Sequence, residues 1–358
     1  MPYNLLNDIM KQKFIIVLTS ILVLSSASCA QKNEYVSFSG YAQGGMYSVT
    51  INLKGVDVPL YDITARVDDI LIAIDNSLSG YNRGSLVSRF NAGEIIRPDS
   101  LFLDMYHHAV AFYDMTSGVV DAASAPLFDL WGFGFKTSEM PGDDLVLKTL
   151  ENCGMERLKK DMNALVHEDG TLIAEDLLIE STGVLPQLNY NAIAQGYSCD
   201  LVAAYLYSIG VKDMMVNIGE IFCDGKNPDG KPWRLGIDSP IDGNNELGAS
   251  LQAIFDVPDG PRGVVTSGNY RKFYLKDGKK YAHTIDPRTG YPVSHNLLSA
   301  TIIADDAMTA DAYATYCMAI GLEESKKLLE SSESMEGCLI YDQDGQFHVW
   351  TSDGFNIE

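Results

Sequence analysis

Asp311 and Thr315 stand four residues apart in the run Ala310-Asp-Ala-Tyr-Ala-Thr315, which reads as the opening turns of a helix, so both side chains project from one face. A carboxylate and a hydroxyl are hard oxygen donors. They suit Mg2+, which takes few protein ligands and keeps waters or substrate phosphates for the rest of its octahedron. An Asp near a helix start serves equally as a cap or as a partner for the helix dipole. A second cluster is the run His283-Thr-Ile-Asp286-Pro-Arg288-Thr-Gly-Tyr-Pro292. It ends a strand pattern in a His, whose imidazole type is a candidate acid/base group, then adds a carboxylate and a guanidinium on a Pro-rich turn. That places an acid/base group and a cation on one rigid loop, although a His before a turn is also an ordinary hydrogen-bonded surface residue. A third run, Leu188-Asn189-Tyr-Asn-Ala192-Ile-Ala-Gln195-Gly196-Tyr197, alternates like a strand and turns through Gly196 into the helical pattern Leu201, Val202, Tyr205, Leu206. Such a corner presents backbone groups at close range.

Other residues have the right chemistry for a small-molecule site. Tyr81 sits in a Ser-Gly-Tyr-Asn turn, where a rigid aromatic can lie against a flat ring or simply pack on the core rim. Gly44 and Gly45 let the backbone approach a ligand, or form a β-bulge. Trp131 and Phe133 read as structural. The run Gly225-Lys-Asn-Pro-Asp-Gly-Lys231 fits a phosphate-loop spacing but fails in context. Pro232 replaces the required Ser or Thr, and the residues after it read as a strand where a helix is needed. No Gly-x-Gly-x-x-Gly follows a strand, and no zinc spacing such as His-Glu-x-x-His occurs.

These groups need elements to hold them. Tyr35 to Leu53 alternates like a strand. Ile63, Val67, Ile70, Leu71, Ile74 and Leu78 recur at helical spacing after Asp62, and a second helix is expected to be capped by Ser100 and to stop before Gly118. A third helix follows Gln195 and stops at Gly210. From Val211 to Val264, short apolar runs separated by turns read as hairpins, and another strand pair flanks Asp277-Gly. The last long helix is expected from near Thr309 to Gly321, resuming to Glu330, before a hairpin across Asp344-Gly. Helices mixed with mostly antiparallel strands argue for an α+β domain.

With 358 residues and 46% hydrophobic content, the chain has material for a large core. Its 48 acidic against 26 basic residues give a formal charge of −22, which disfavours nucleic acid or anionic lipid as general partners. An anionic substrate must therefore be met by local cations or a metal. At the amino terminus Lys11 and Lys13 precede the apolar run Phe14 to Leu24, too short to span a bilayer, which thins into Ser25-Ser-Ala-Ser before Cys29. Residues 1–28 are read as a signal peptide with lipoprotein-type cleavage before Cys29, residues 29–34 as a polar tether and residues 35–358 as the folded domain. Ordinary signal cleavage near Ala27 or Ala30 is the alternative. Cys153, Cys199, Cys223, Cys317 and Cys338 are an odd, widely spaced set, and most of them are expected as buried thiols.

The three runs resemble the ApbE family, the FAD:protein FMN transferases, and further segments extend the resemblance in chain order. They are Gly44-Gly-Met-Tyr-Ser-Val49; Leu78-Ser-Gly-Tyr81 with Ser85 and Phe90-Asn91; Val120-Asp121-Ala-Ala-Ser-Ala-Pro-Leu127 with Leu130-Trp-Gly-Phe-Gly134; Val216-Asn-Ile-Gly-Glu220; and Thr266-Ser-Gly-Asn-Tyr270. This chain departs at Asn189, where the family usually has a carboxylate, at Glu220, where it has a second Gly, and at Gln43-Gly-Gly, where it has Met-Gly-Thr. Gln195 stands where Lys is common.

The resemblance implies an ApbE-like flavin transferase fold and a Mg2+-dependent transfer of FMN from FAD to a Thr of an acceptor protein, with release of AMP. Asp311, Thr315 and the Ala192 carbonyl would hold the metal. His283 would assist the incoming hydroxyl, oriented by Asp286, while Arg288 either holds a phosphate or braces the loop. Gly44, Tyr81, Val120, Asp121, Asn189, Gln195 and His283 would contact FAD. Implied partners are an acceptor with a Ser/Thr-rich flavinylation motif, in a membrane redox subunit or exported flavoprotein, and the membrane itself through lipid on Cys29, in an exported, periplasm-facing protein of the bacterial envelope. Two alternatives use the same residues: a FAD pyrophosphatase yielding FMN and AMP, and a non-catalytic FAD-binding lipoprotein.

Overall fold

Val36, Phe38 and Ala42 alternate with Ser37, Ser39 and Tyr41 along β1 (Tyr35–Ala42), the first set packing on the core and the second exposed. A two-residue turn leads into β2 (Gly45–Asn52), with Gln43 at φ 51° and Gly44 at φ 81°. Positive φ at both central residues is the type I′ geometry whose twist matches a hairpin, and it favours Gly at the second position. The computed structural model describes residues 34–132, 140–180, 183–241, 250–269, 273–276, 279–282 and 284–358. Val36–Glu358 make one compact unit.

The frame of that unit is an eight-stranded sheet of order β1-β2-β3-β4-β7-β12-β13-β14. Its other strands are β3 (Met214–Asn217), β4 (Ile221–Asp224), β7 (Arg262–Gly268), β12 (Leu297–Ala304), β13 (Glu336–Gln343) and β14 (Gln346–Thr351). The ladders from β2 through to β14 are antiparallel. Three two-stranded ribbons accompany it: β5 (Arg234–Asp238) with β6 (Leu251–Asp256), β8 (Phe273–Lys276) with β9 (Lys279–Ala282), and β10 (Ile285–Asp286) with β11 (Tyr291–Pro292). The sequence reading placed the strand pair around Asp277-Gly correctly. The phosphate-loop decoy is a turn held by Asn227, whose side chain accepts from the Asp229 and Lys231 N–H groups, and a strand follows it as expected.

Helices α1 (Leu60–Leu78), α2 (Leu86–Asn91) and α3 (Ser100–Met115) precede α4 (Ala125–Leu130), α5 (Asp143–Leu150), α6 (Ala194–Ser208), α7 (Ala307–Ile320) and α8 (Leu322–Glu330). The main core joins α1, α3 and α6 to β2 and β3 through residues such as Val49, Ile63, Val67, Phe102, Met105, Val202 and Val216. A second cluster packs α7 and α8 on β12 and β13. Helix boundaries correct the sequence reading in three places. Asp99, not Ser100, caps α3, its Oδ1 accepting from the Phe102 N–H at 2.8 Å, because its side chain lies outside the first turn and Ser100 is already helical. The first helix begins at Leu60, before Asp62, and α7 begins at Ala307, where Asp306 accepts from the Thr309 N–H at 2.7 Å. Most of the five downstream cysteines are expected as buried thiols, and all five are buried and free. No helix among the described residues is long and apolar enough to cross a membrane.

Candidate functional site

A cleft of about 650 Å3 opens between the β1–β2 turn, the end of α1, the Val120 segment, the start of α6 and the β10 loop. That size is within the range of about 300–1,000 Å3 typical of small-molecule sites. Its walls contain Gly44, Tyr81, Val120, Asp121, Ala192, Gln195 and Thr315, seven positions singled out from sequence. Asn189 lines a small adjoining cavity with Asp121 and Ala192.

Backbone pairings made by the motif residues hold these walls together. The Asn91 side chain donates to the Leu188 carbonyl and accepts from the Leu188 N–H, both at 2.8 Å, reproducing with one amide what a neighbouring strand would supply. The Asn189 N–H donates to the Ala122 carbonyl at 2.8 Å, fastening the α6 approach to the Val120 segment. Ser85 caps α2 through the Ser88 N–H and donates to the Ser79 carbonyl, which fixes the turn that presents Tyr81. Tyr81 is 63% exposed, and its hydroxyl accepts from the Asn191 amide at 3.3 Å. Gln195 donates to the Ile218 carbonyl at 3.2 Å, so its amide is pinned to the β3–β4 turn at the cleft wall.

Asp311 lies on α7 one turn before Thr315 and is 4% exposed. Burial pushes its carboxyl well above the usual carboxylate range, and the charges of Glu220 and Asp200 push the same way against the Gly196 N–H, which donates to its Oδ2 at 3.1 Å. Two glycines make this placement possible. A Cβ on Gly196 would fall on the Ala307 carbonyl, and one on Gly263 of β7 would fall on the Ala307 Cα and the Asp306 carbonyl, so the first turn of α7 is pressed between two bare backbones.

The donor chemistry fits a divalent cation. Asp311 is a buried acceptor whose environment is otherwise negative, Thr315 adds a hydroxyl on the same helix face at the cleft, and Ala192 lines the same cleft. Among the described residues no three His, Cys, Asp or Glu side chains gather into a cage. A cation held by Asp311, Thr315 and the Ala192 carbonyl would have mixed carboxylate, hydroxyl and carbonyl oxygens as its donors.

Asp121 is a half-buried carboxyl in the cleft wall. Burial raises it from 3.8 to about 7, although it accepts from the Ala123 N–H at 2.8 Å, so near neutral pH it is both acceptor and donor. Asp286 holds Arg288: its Oδ1 accepts from Arg288 Nε at 2.9 Å and its Oδ2 from the terminal guanidinium nitrogen at 2.8 Å. This is the bracing geometry considered for Arg288, and it engages both oxygens of the carboxylate expected to orient His283. His283 and Phe133 lie outside the described residues. Thr284, Ile285 and Pro287, the next residues after His283 to be described at the site, line the cleft. Trp131 is buried and structural, as expected, its indole N–H donating to the Gly290 carbonyl at 2.8 Å, which ties α4 to the loop after β10.

Two residues of the site went unread. Asp200 on α6 accepts from the Ala307 and Met308 N–H groups, both at 2.8 Å, and so caps α7 across 107 positions of chain. Asn191 lines the cleft and reaches Tyr81. Asn191 lay within a motif already singled out, and its side-chain amide was the available signal; nothing local to Asp200 distinguishes it from an ordinary helix-surface carboxylate.

The chain is similar to known proteins across almost its whole length. The ApbE family model matches residues 43–339. The FAD:protein FMN transferase of Vibrio cholerae is 31% identical over 350 residues, covering 96% of this chain and 98% of the relative. The protein of the same name from Haemophilus influenzae is 29% identical over 349 residues, covering 95% and 96%. The crystal structure of the Pseudomonas stutzeri flavinyl transferase ApbE in its apo form superposes with a TM-score of 0.74 at 29% identity, covering 89% of this chain and 95% of that one. The matched span includes every described wall of the cleft, the Asp311 helix and the motif residues that fasten them, and the chain belongs to the ApbE family.

Proposed function

We propose that this chain is a FAD:protein FMN transferase, which moves FMN from FAD onto a hydroxyl of an acceptor protein. The observation that carries the reading is the cleft itself, in which family motif residues from seven separate parts of the chain line one space beside a buried carboxylate. In the reaction the acceptor Thr oxygen forms a bond to the FMN phosphorus, the pyrophosphate P–O bond breaks, and AMP leaves with the bridging oxygen. The hydroxyl proton passes to a base, and His283 is the residue assigned to that role, with Asp286 in its loop.

Asp311, Thr315 and the Ala192 carbonyl would hold Mg2+, whose chemistry is to neutralise charge on the phosphates. Gly44 and the turn it closes bring the backbone to the flavin. Tyr81 offers a ring face at the mouth, while Val120, Asp121, Asn189 and Gln195 contribute apolar contact and hydrogen bonds. With Gln195 neutral where Lys is common, the metal has the larger share of the anionic charge to balance. Asp121, part-protonated near neutrality, can donate to a flavin carbonyl as readily as accept from a ring or ribose donor.

The same reading places the protein outside the cytoplasm, cleaved before Cys29 and lipid-anchored with its domain, residues 35–358, facing the periplasm. It is supported by Lys11, Lys13, the apolar run to Leu24 and the small residues before Cys29. Labelled palmitate incorporated by the wild type and not by Cys29→Ser supports the anchor; equal labelling refutes it.

The test of activity incubates the chain with FAD, Mg2+ and a Thr-containing acceptor, following AMP and acceptor mass together. An FMN adduct with stoichiometric AMP is expected. AMP with free FMN and no adduct points to the pyrophosphatase, and bound, uncleaved FAD to the binding protein.

A further inference from the structure

The β1–β2 turn lines the cleft with Gln43 and Gly44 and follows β1, the outermost strand of the sheet among the described residues. Its two-residue geometry makes Ala42 and Gly45 the closing pair, which sets Gly40 opposite Tyr47 and Ser37 opposite Thr50. Both follow in the structure, since a Cβ on Gly40 would strike the Tyr47 ring and Ser37 Oγ lies 2.8 Å from Thr50 Oγ1. In an antiparallel ladder the closing pair bonds inward and the pattern alternates. Phe38, Gly40 and Ala42 therefore bond to β2, whereas Ser37, Ser39 and Tyr41 turn their N–H and C=O groups to the open side.

Among the described residues no strand pairs with that side, since β1 is the terminal strand of the sheet. Sheet edges are commonly blunted by charge, proline or a bulge. The β1 sequence Tyr-Val-Ser-Phe-Ser-Gly-Tyr-Ala has no charge and no proline, in a chain of net charge −22. At its cleft end the facing pair Tyr41 and Met46 is 72% and 68% exposed, an apolar shelf beside the open backbone. The next two residues after the strand are Gln43 and Gly44, both in the cleft wall.

We propose that the open edge of β1 is the docking strand for the acceptor protein, whose Ser/Thr-rich segment adds to it in extended form. The inference rests on the FMN-transferase reading, which requires a polypeptide hydroxyl to arrive at the cleft. At about 3.4 Å per residue, a strand paired along Ser37 to Tyr41 needs some three further residues, roughly 10 Å, to carry a Thr from Tyr41 past the turn. The backbone bonds are indifferent to side chain, and Tyr41 and Met46 supply apolar contact to alternate residues of the incoming segment.

The test uses Ser39→Pro, which removes one outward N–H and leaves the inward bonds of Phe38 and Gly40 in place. The probe is a Ser/Thr-rich peptide with a single Thr, added to the full chain with FAD and Mg2+. The expected result is a rise in KM for the peptide of roughly tenfold, with FAD affinity and Tm unchanged, and peptide-dependent hydrogen-exchange protection of the Ser37, Ser39 and Tyr41 amides in the unaltered chain. Transfer by Ser39→Pro at the wild-type KM overturns the docking edge alone. Where Ser39→Pro lowers Tm, the exchange experiment decides: protection by the peptide supports the proposal and none overturns it. Protection that needs no peptide and grows with protein concentration assigns the edge to a second copy and also overturns it. Failure of the unaltered chain to yield either adduct or AMP removes the transferase reading, and this inference with it.

Discussion

The Gly196 N–H donates to the Asp311 carboxylate at 3.1 Å, joining the start of one helix to a buried acid 115 positions further along the chain. The bond ties the Asn189–Gly196 corner to the α7 carboxylate, so the backbone that lines the cleft and the acid behind it move as one piece. It also lowers the Asp311 proton affinity, against burial and the charges of Glu220 and Asp200.

Removing the negative charge at that point should abolish the response to metal while leaving the fold. In Asp311→Asn, Mg2+ is expected to give no rise in Tm, whereas a wild-type chain at one hundred times its Kd for Mg2+ gains about 2.7 kcal/mol. Thermal melts with and without Mg2+, in the absence of FAD, read this independently of turnover. An equal rise in both proteins would remove Asp311 from the metal site.

Gly196→Ala should be destabilising although it replaces a helical glycine with the best helix former. The added methyl would fall on the Ala307 carbonyl, and the neighbouring backbone has to move. A loss of about 1–3 kcal/mol in urea unfolding is expected, as for other overpacked interiors, with a weaker Mg2+ response because α7 carries Asp311. A gain in stability would mean that the two helices separate more easily than this contact implies.

Asp121 makes stability depend on pH. Its carboxyl binds a proton more tightly in the folded chain, at about 7, than at the ordinary 3.8, so the stabilising effect of that proton is full below about pH 4 and is lost as pH rises through 7. Asp121→Asn keeps an acceptor for the Ala123 N–H without the ionisation. In the flavin-free protein its Tm should match the wild type near pH 4 and exceed it increasingly toward pH 8, with an advantage of up to about 4 kcal/mol. A constant difference across that range would place the titration elsewhere.

Trp131→Phe removes the bond to the Gly290 carbonyl and leaves that acceptor without its indole donor. A loss of about 1–3 kcal/mol is expected, together with a KM for FAD that rises more than kcat falls, since the loop it braces contributes Ile285 and Pro287 to the cleft. Steady-state kinetics separates the two parameters, and a pure kcat effect would argue against a bracing role.

What could be read from sequence was chemistry written in neighbouring residues. The Asp344-Gly345 hairpin, the strand pair around Asp277, the α6 stop near Gly210 and the Thr315 face of α7 all follow from patterns spanning a few positions. The α+β class followed from the same patterns. The helix caps were harder, because Asp99 and Ser100 are both competent and only the local geometry selects between them. What stayed hidden was long-range pairing. Asp200 looks like a helix-surface carboxylate until α7 arrives above it, and Gly263 looks like a weak point in a strand until Ala307 is seen against it. Nor does the order of residues reveal that Asp121 is buried enough to hold its proton near neutrality, since burial is a property of everything packed around it.

The seat of α7 between Gly196 and Gly263 has a practical consequence for redesign. At both glycines its depth is set by main-chain atoms, contacts that a library varying cleft side chains leaves in place. Positions such as Tyr81 or Asn191 at the cleft wall can be diversified while the acid keeps its station, provided the two glycines are left untouched.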